Sequence, residues 1–404
     1  MRILTYTIGL LTALSLVSCL SDDSDLQTLI EENPGRIIPP TIEFDESDLD
    51  EGLDIIVTDP EDEAYNDYWE NSPWTTNVKV TFTPEGATVS GTTTRVKATV
   101  EGGHVLIKAT ASRVNITASG ECPDGSLKVY SDYKFKLTLN GLNLTNPHGA
   151  AINNQCGKTI YLVVNQGTVN RLADGPQYTD VPEDEDMKGT LFSEGQIIVS
   201  GSGQLRVSSK GGRHAIASDD YLRFRKGNKI TVESTSGNGI RGKDGIYIDG
   251  SVINVSTTAP AGRALATNGY LHITGGRTTL LTTGCPTVNE ELADTTSAAG
   301  IKCDSIMTMT GGTLRIKSTG DGGKGINAHG TIAMQGGKVE IVTLGIKDLA
   351  SPKGIKCDGA MDVLAPSSIY IYCAHAAPVD ATPLTLTPGY KALEQRPRLF
   401  TIAY

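Results

Sequence analysis

The residues best suited to chemistry in this 404-residue chain recur as cation and carboxylate pairs. Lys302-Cys303-Asp304 and Lys356-Cys357-Asp358 repeat one arrangement, and Arg241 with Asp244 stands near the same place in another copy. If Cys303 and Cys357 point inward on strands, period-two alternation sends Lys302, Asp304, Lys356 and Asp358 outward on one face. A strip of alternating cations and carboxylates has the ingredients for binding an anionic polymer. The same residues also have plainer uses. Asp before Gly or Ser is ordinary turn chemistry, and Lys beside Asp on an exposed strand is a favourable surface pair.

The elements that carry these pairs come from a repeat. The stretch Gly300 to Ile316 is answered by Gly325 to Ile341 at a constant offset of 25 residues. Each copy reads as short strands of alternating apolar and polar residues, broken by Gly pairs and an Asp-Ser or His-Gly step. Further copies begin at Ala215-Ile216, Gly239-Ile240, Ala264-Leu265 and Gly354-Ile355. Units of this size cannot bury an apolar face alone and must stack.

Stacking at about 4.8 Å per rung puts like residues in columns. Ile216, Ile240, Leu265, Ile301, Ile326 and Ile355 form one inward column, beside Ser218, Gly242, Thr267, Cys303, Ala328 and Cys357. A second strand supplies Ile246, Leu271, Met307, Ile332 and Met361, then Ile248, Ile273, Met309, Met334 and Val363. Three strands per turn with apolar ladders predict an all-β, single-stranded parallel β-helix of about 25 residues per rung. A helical solenoid needs longer amphipathic stretches, and a propeller blade needs about 40 residues or more.

The ends of the chain differ from this body. Residues 1–19 carry Arg2 and an apolar run from Ile3 to Val17, shorter than the ~20 residues of a membrane span, which reads as an export signal. Leu16-Val17-Ser18-Cys19 resembles the lipobox of bacterial lipoproteins, and that resemblance implies lipidation of Cys19. The acidic run Ser21-Asp22-Asp23-Ser24-Asp25 resembles the tag of surface-exposed outer-membrane lipoproteins. From Leu20 to Trp74 there are 18 acidic residues and one basic, Arg36, a net charge of −17. Residues 20–61 are expected to be a disordered, self-repelling tether reaching on the order of 40 Å. The aromatic stretch Asp62 to Trp74 is expected to cap the first rung, and Leu384 to Tyr404 the last. Residues 62–404 are expected to form the β-helix domain with its caps, and residues 75–404 carry about +5 although the whole chain is −11.

Two long excursions interrupt the body, Leu172 to Lys188 and Gly284 to Ala299. The acidic residues of the first could hold Ca²⁺, a hard ion that takes six to eight oxygen ligands, or could simply be solvated. Among six cysteines after Cys19 there is no Cys-x-x-Cys pair, which argues against structural zinc. Cys303 and Cys357 fall two rungs apart, about 9.6 Å, and should be free. No phosphate-binding Gly-rich loop and no basic cluster for nucleic acid is present. A glycosidase needs two carboxyl groups facing across a bond, whereas Asp219 and Asp220 are adjacent on a strand and point apart. Aromatics make up only 5% of the chain, leaving Tyr247 and Tyr370 as candidates for stacking on sugars.

Together, Gly189-Thr190-Leu191-Phe192-Ser193-Glu194-Gly195-Gln196, Ser218-Asp219-Asp220 and the Gly-Ile-Lys-Cys-Asp and Thr-Gly-Gly rungs resemble the carbohydrate-binding β-helix family related to pectate lyases. The similarity covers roughly residues 62–375. It implies a right-handed parallel β-helix, polysaccharide binding and bound calcium. On that reading Asp219, Asp244, Asp304 and Asp358 hold Ca²⁺, while Arg241, Lys302, Lys356, Tyr247 and Tyr370 meet the glycan. The expected function is noncatalytic binding of an acidic or cellulose-like polysaccharide by a lipid-anchored outer-membrane protein. A calcium-dependent polysaccharide lyase and a β-helical adhesin remain alternatives, and the sequence carries no strong sign of oligomerisation.

Overall fold

A computed structural model describes residues 39–49, 52–179, 181–290, 294–364, 367–387, 393–394 and 399–402. The export signal over 1–19, Cys19 and residues 20–38 of the expected tether lie outside the described residues. Ile42–Ile402 make one unit, to which all the following structure belongs.

Strands of three to six residues stack into three parallel ladders through the repeat. In the first, Ile216, Ile240, Leu265, Ile301, Ile326 and Ile355 are register partners on successive strands. None of the six is more than 1% exposed. The second ladder runs through Gly245–Ile248, Tyr270–Ile273, Met307–Met309, Ile332–Met334 and Met361–Val363, with both expected apolar columns in register and buried. The third runs through Gln204–Ser209, Lys229–Ser234, Val252–Thr257, Arg277–Thr282, Thr313–Ser318, Lys338–Thr343 and Ser368–Cys373. The chain is an all-β parallel β-helix of about 11 turns, with about 25 residues per rung. Six free cysteines include Cys303 and Cys357, as their spacing predicts.

The repeated Gly-Ile step has a steric cause. A Cβ added to Gly239, Gly300, Gly325 or Gly354 would lie 2.2 to 2.4 Å from a core side chain of the third ladder, respectively Val255, Ile316, Ile341 and Ile371. The chain turns the corner between the third and first ladders at this residue. Its bare backbone lets the aliphatic side chain close over the corner.

The ends are closed by antiparallel pairing. Thr76–Thr83 pairs with Gly86–Ser90, and Val96–Glu101 with Gly103–Ala109, at the start of the solenoid. Leu399–Ile402 runs antiparallel to Ser368–Cys373 at the other end and buries Leu399, Phe400 and Ile402. The repeat also continues one rung beyond Tyr372, with Val379–Ala381 and Leu384–Leu386 in register.

Two expectations for the N-terminal part are corrected. Residues 42–49 and 52–57 of the expected free tether do not hang loose; they lie along the solenoid as a strap. Asp45 pairs with Arg277 at 2.9 Å, Glu46 with Arg206 at 2.7 Å, Asp48 with Lys229 at 2.7 Å and Asp54 with Arg225 at 2.7 Å. Self-repulsion drives an acidic chain into solvent only while its charges are unpaired, and the outer face of the third ladder supplies the cations. Burial pushes the Asp45 carboxyl up, but hydrogen bonds from Ser47 and the guanidinium groups of Arg277 and Arg315 bring it below its ordinary value. The segment 62–74, in turn, does not cover the first rung. It packs on the flank of the second ladder, where Trp69 lies 4.1 Å from Lys136 Nζ, Trp74 meets Tyr161 edge-on and Asp67 pairs with Arg223 at 2.8 Å.

Arg225 anchors both parts of the strap. It is 1% exposed, holds Asp54 and both carboxylate oxygens of Glu70, and lies 4.1 Å from the centre of the Tyr68 ring. Breaking a buried ion pair by removing one partner is strongly destabilising, because the remaining charge is left uncompensated. Arg225→Ala should therefore cost on the order of 3 kcal/mol, lower the thermal midpoint and speed amide exchange across 54–74. An unchanged midpoint with unchanged exchange would show that the segment is not held there.

Candidate functional site

The outward column of the first ladder reads Arg241, Ala266, Lys302, Asn327, Lys356 and Asp380, one residue per rung. Its cations recur every second rung, roughly 10 Å apart. The turn after each strand carries a second column, in which Asp219, Lys243, Asn268, Asp304, His329 and Asp358 are tied to the preceding rung by backbone hydrogen bonds. The two columns are cross-linked. Lys302 pairs with Asp304, Lys356 with Asp358 at 2.9 Å, and His329 stands between the two carboxylates, 3.2 Å from Asp304 and 3.9 Å from Asp358.

A third column escaped the reading of the sequence. Arg263, Ala299, Lys324 and Lys353 are register partners two residues before the inward Leu or Ile of each copy. Counted by alternation these positions should point inward, and a lysine there looks like a misfit. The corner residue, Gly325 in the case of Lys324, breaks the alternation and frees the preceding side chain from the core. The usable signal was the recurrence of a basic residue before Gly-Ile or Ala-Leu, as in Lys324-Gly325-Ile326, Lys353-Gly354-Ile355 and Arg263-Ala264-Leu265.

Lys324 is the electrostatic centre of this face. Its side chain is buried, and Nζ donates to Ser297 Oγ at 2.5 Å. No carboxylate pairs with it among the described residues. Burial, reinforced by the charges of Lys356, Lys353, Arg263 and Lys302, pushes its pKa down to about 8. Arg263 is likewise without a salt bridge among the described residues, and its Nε is buried without a hydrogen-bond partner. So is Oδ1 of Asn327, which lies between Lys302 and Lys356. These atoms leave two donors and an acceptor disposed for a ligand rich in carboxylates and hydroxyls.

The second excursion, 284–299, and a further loop over 344–352 wall this site. The Gly322 amide donates to Ile346 O and the Ile346 amide to Asp321 Oδ1, each at 2.9 Å. Pro286 and Ala350 come within 3.1 and 3.0 Å of where a Gly322 side chain would begin. The excursion and the loop thus meet at the turn just before Lys324, carrying the exposed apolar residues Val288, Ile346 and Leu349.

The other expected residues disperse. Arg241 donates to Asn268 and lies 4.0 Å from Asp219. Tyr247 belongs to the second ladder, edge-on to Tyr221 and stacked on His272 at 5.1 Å. Tyr370 is corrected: it is 7% exposed on the third ladder, where the Leu399–Ile402 strand adds a further rung with Thr401 opposite it, so it offers no ring face to a sugar.

The four carboxylates expected to hold calcium do not form one ligand set. Asp304 and Asp358 are paired with lysines, and Asp244 is exposed in a turn without a salt bridge among the described residues. Asp219 does converge with Asp186 and Glu194, their oxygens lying within 4.8 Å of one another. The Lys188 ammonium already bonds Asp219 and Asp186, filling the place of a cation. Burial and the Asp219 charge push the Glu194 carboxyl up. As they stand, these donors do not fit a Ca²⁺ coordination shell.

The described faces of the solenoid present polar, charge-patterned ladders that repeat along its axis. The family of carbohydrate-binding domain-containing proteins matches residues 101–282 and 257–345, more than half of the chain. The chain belongs to that family. A carbohydrate-binding domain-containing protein of Acetivibrio thermocellus is 29% identical over 121 residues, which cover 29% of this chain and 42% of that protein. The match therefore spans less than half of that relative's length. A solved structure of a polysaccharide lyase-like protein from C. thermocellum, a gadolinium derivative, aligns over 78% of this chain and 98% of its own at 19% identity, with a TM-score of 0.47.

Lys324 makes a stability prediction whose sign is unusual for a lysine. Its folded-state pKa lies below the unfolded value of 10.5, so the ammonium form opposes folding. That cost is full below pH about 8 and fades as pH rises toward 10.5. Lys324→Met should raise stability at pH 6.5 by on the order of 1–2 kcal/mol after allowance for solvent screening. The gain should shrink by pH 10. A fall in the unfolding midpoint at pH 6.5 would mean that an unseen partner compensates the charge.

Proposed function

We propose that this carbohydrate-binding protein holds an acidic polysaccharide along the first ladder, without cleaving it. One observation carries the reading: Lys324 and Arg263 are desolvated cations with no carboxylate partner among the described residues, set into a strip of paired ones. Burying an unpaired cation is unfavourable, and a ligand carboxylate would relieve it. The roughly 10 Å recurrence of Arg241, Lys302 and Lys356 extends the strip over five rungs, which suits a linear polymer. The exposed apolar residues Val288, Ile346 and Leu349 would bracket the chain near Lys324. Anchoring through Cys19 at the outer membrane belongs to the same proposal and would hold the solenoid where such polymers are met.

One observation favours a lyase as the second reading. With a pKa near 8, Lys324 is partly neutral at physiological pH and could remove a proton beside a uronate carboxylate.

Affinity electrophoresis in polygalacturonate distinguishes these readings. Retention of the wild-type chain should weaken with salt and fall as pH rises through 8, where Lys324 loses its charge. Lys324→Ala and Arg263→Ala should each weaken binding roughly tenfold, the loss of one charge-assisted contact. Lys302→Ala with Lys356→Ala should weaken it too, with the rungs intact. Retention indifferent to all four residues would move the site off this face. New ultraviolet absorbance from unsaturated products, abolished by Lys324→Ala, would establish the lyase. Chelator should leave retention unchanged; its loss would place a cation at Asp186, Glu194 and Asp219.

A further inference from the structure

The strap is an acidic polymer seated on the outer face of a different ladder. Residues 45–48 cross four neighbouring strands of the third ladder, Gln204–Ser209, Lys229–Ser234, Val252–Thr257 and Arg277–Thr282. Glu46 takes Arg206 and Thr231 Oγ1, Asp48 takes Lys229, and Asp45 takes Arg277. Asn254 Nδ2 donates to Asp45 O, and Arg277 donates to the carbonyl oxygens of both Asp45 and Ser47. Each strand thus contributes at least one side chain that grips a carboxylate or a carbonyl of one extended chain.

The grip is asymmetric. The carboxylate side chains of Asp45, Glu46 and Asp48 are 37, 39 and 94% exposed, while Arg277 and Lys229 are only 13 and 21% exposed and Arg206 is 39% exposed. Arg277 and Lys229 are set into the face, and the acidic peptide lies on top of them. No β-ladder pairing joins residues 42–49 to the solenoid among the described residues, and exposed ion pairs are weak and screened by salt. Downstream, the buried pairing of Arg225 with Asp54 and Glu70 holds residues 54–70 in place. The strap is therefore fixed at Arg225 and at Ile42, which is 1% exposed, and loosely seated over 43–49.

We infer that the outer face of the third ladder, formed by Arg206, Lys229, Asn254 and Arg277, is a second polyuronate-binding surface for which residues 45–48 act as a displaceable internal ligand. A linear uronate polymer presents the same groups as the strap, carboxylates spaced along a chain with hydroxyl and ring oxygens between them. It would lift residues 43–49 while Ile42 and Arg225 keep the flanking parts docked. This surface is distinct from the strip around Lys324, so the two can fail separately.

The test uses the full chain carrying Arg263→Ala and Lys324→Ala, which silences the first ladder, with and without Asp45→Asn, Glu46→Gln and Asp48→Asn. In polygalacturonate gels at low salt, neutralising the strap should increase retention several-fold, and Arg206→Gln with Arg277→Gln should abolish the gain. No gain, with an unchanged unfolding midpoint, overturns the inference. A background that binds as strongly as wild type sinks the reading of the first ladder instead, and the strap is still judged by whether its neutralisation strengthens retention. Should the strap variant fold poorly, amide exchange on the wild-type chain decides: saturating polygalacturonate should speed exchange over 43–49 and leave 54–70 protected. Unchanged exchange over 43–49 overturns the inference.

Discussion

At four corners where the third ladder hands over to the first, a glycine stands so close to an aliphatic core side chain that one added methyl would collide with it. Gly239, Gly300, Gly325 and Gly354 meet this condition against Val255, Ile316, Ile341 and Ile371, while Ala215 and Ala264 take the same place in two other copies. The turn that this contact permits keeps the rungs in register, because every later residue of the copy inherits its position from that corner. It also makes the binding face. By breaking the alternation, the corner moves the preceding residue out of the core, and Arg263, Lys324 and Lys353 line the outer side of the ladder from positions that a regular strand would turn inward. At Lys324 and Lys353 that corner is a glycine.

Electrostatics then decides what covers the solenoid. The chain separates its charge, with −17 in residues 20–74 and +5 in residues 75–404, and the described part of the acidic segment folds back onto the cations. Burial sorts these contacts into two kinds. At Arg225 the guanidinium is desolvated and two carboxylates compensate it, so the contact is costly to break. At Arg206, Lys229 and Arg277 the acidic partners are exposed, and the pairs exchange readily with solvent and salt. One segment can therefore be anchored and displaceable at once.

The solenoid was legible in the sequence because its repeat is explicit. Identical spacing placed Ile301 over Ile326 and Met307 over Ile332, and the register of the strands follows it. The outward column of Arg241, Lys302 and Lys356 followed from the same alternation. What stayed hidden was non-local or irregular. Lys324 was hidden by the corner, which overrides alternation. The seating of Asp45 on Arg277 joins residues 232 positions apart, and composition alone favoured a solvated tether. Tyr370 has the parity of an outward residue, but the antiparallel Leu399–Ile402 strand that closes the solenoid comes from beyond the repeat. Of the carboxylates that family likeness suggested for calcium, Asp304 and Asp358 pair with lysines that the sequence already sets beside them, whereas the pairing of Asp219 with Lys188 joins residues 31 positions apart.

A ladder of this kind favours binding over turnover for a geometric reason. Catalysis requires several groups to converge on one bond with sub-ångström placement, whereas the rungs distribute like groups evenly along an axis. Even distribution matches a polymer whose own groups repeat, and it lets many weak contacts add without any one being decisive. The single departure from evenness is Lys324, already desolvated and surrounded by like charge before any ligand arrives. A partner carboxylate would meet a cation whose dehydration cost is met by folding, so less is lost on association than at an exposed lysine. The same feature that weakens the fold at this rung is what makes it the strongest point of the strip.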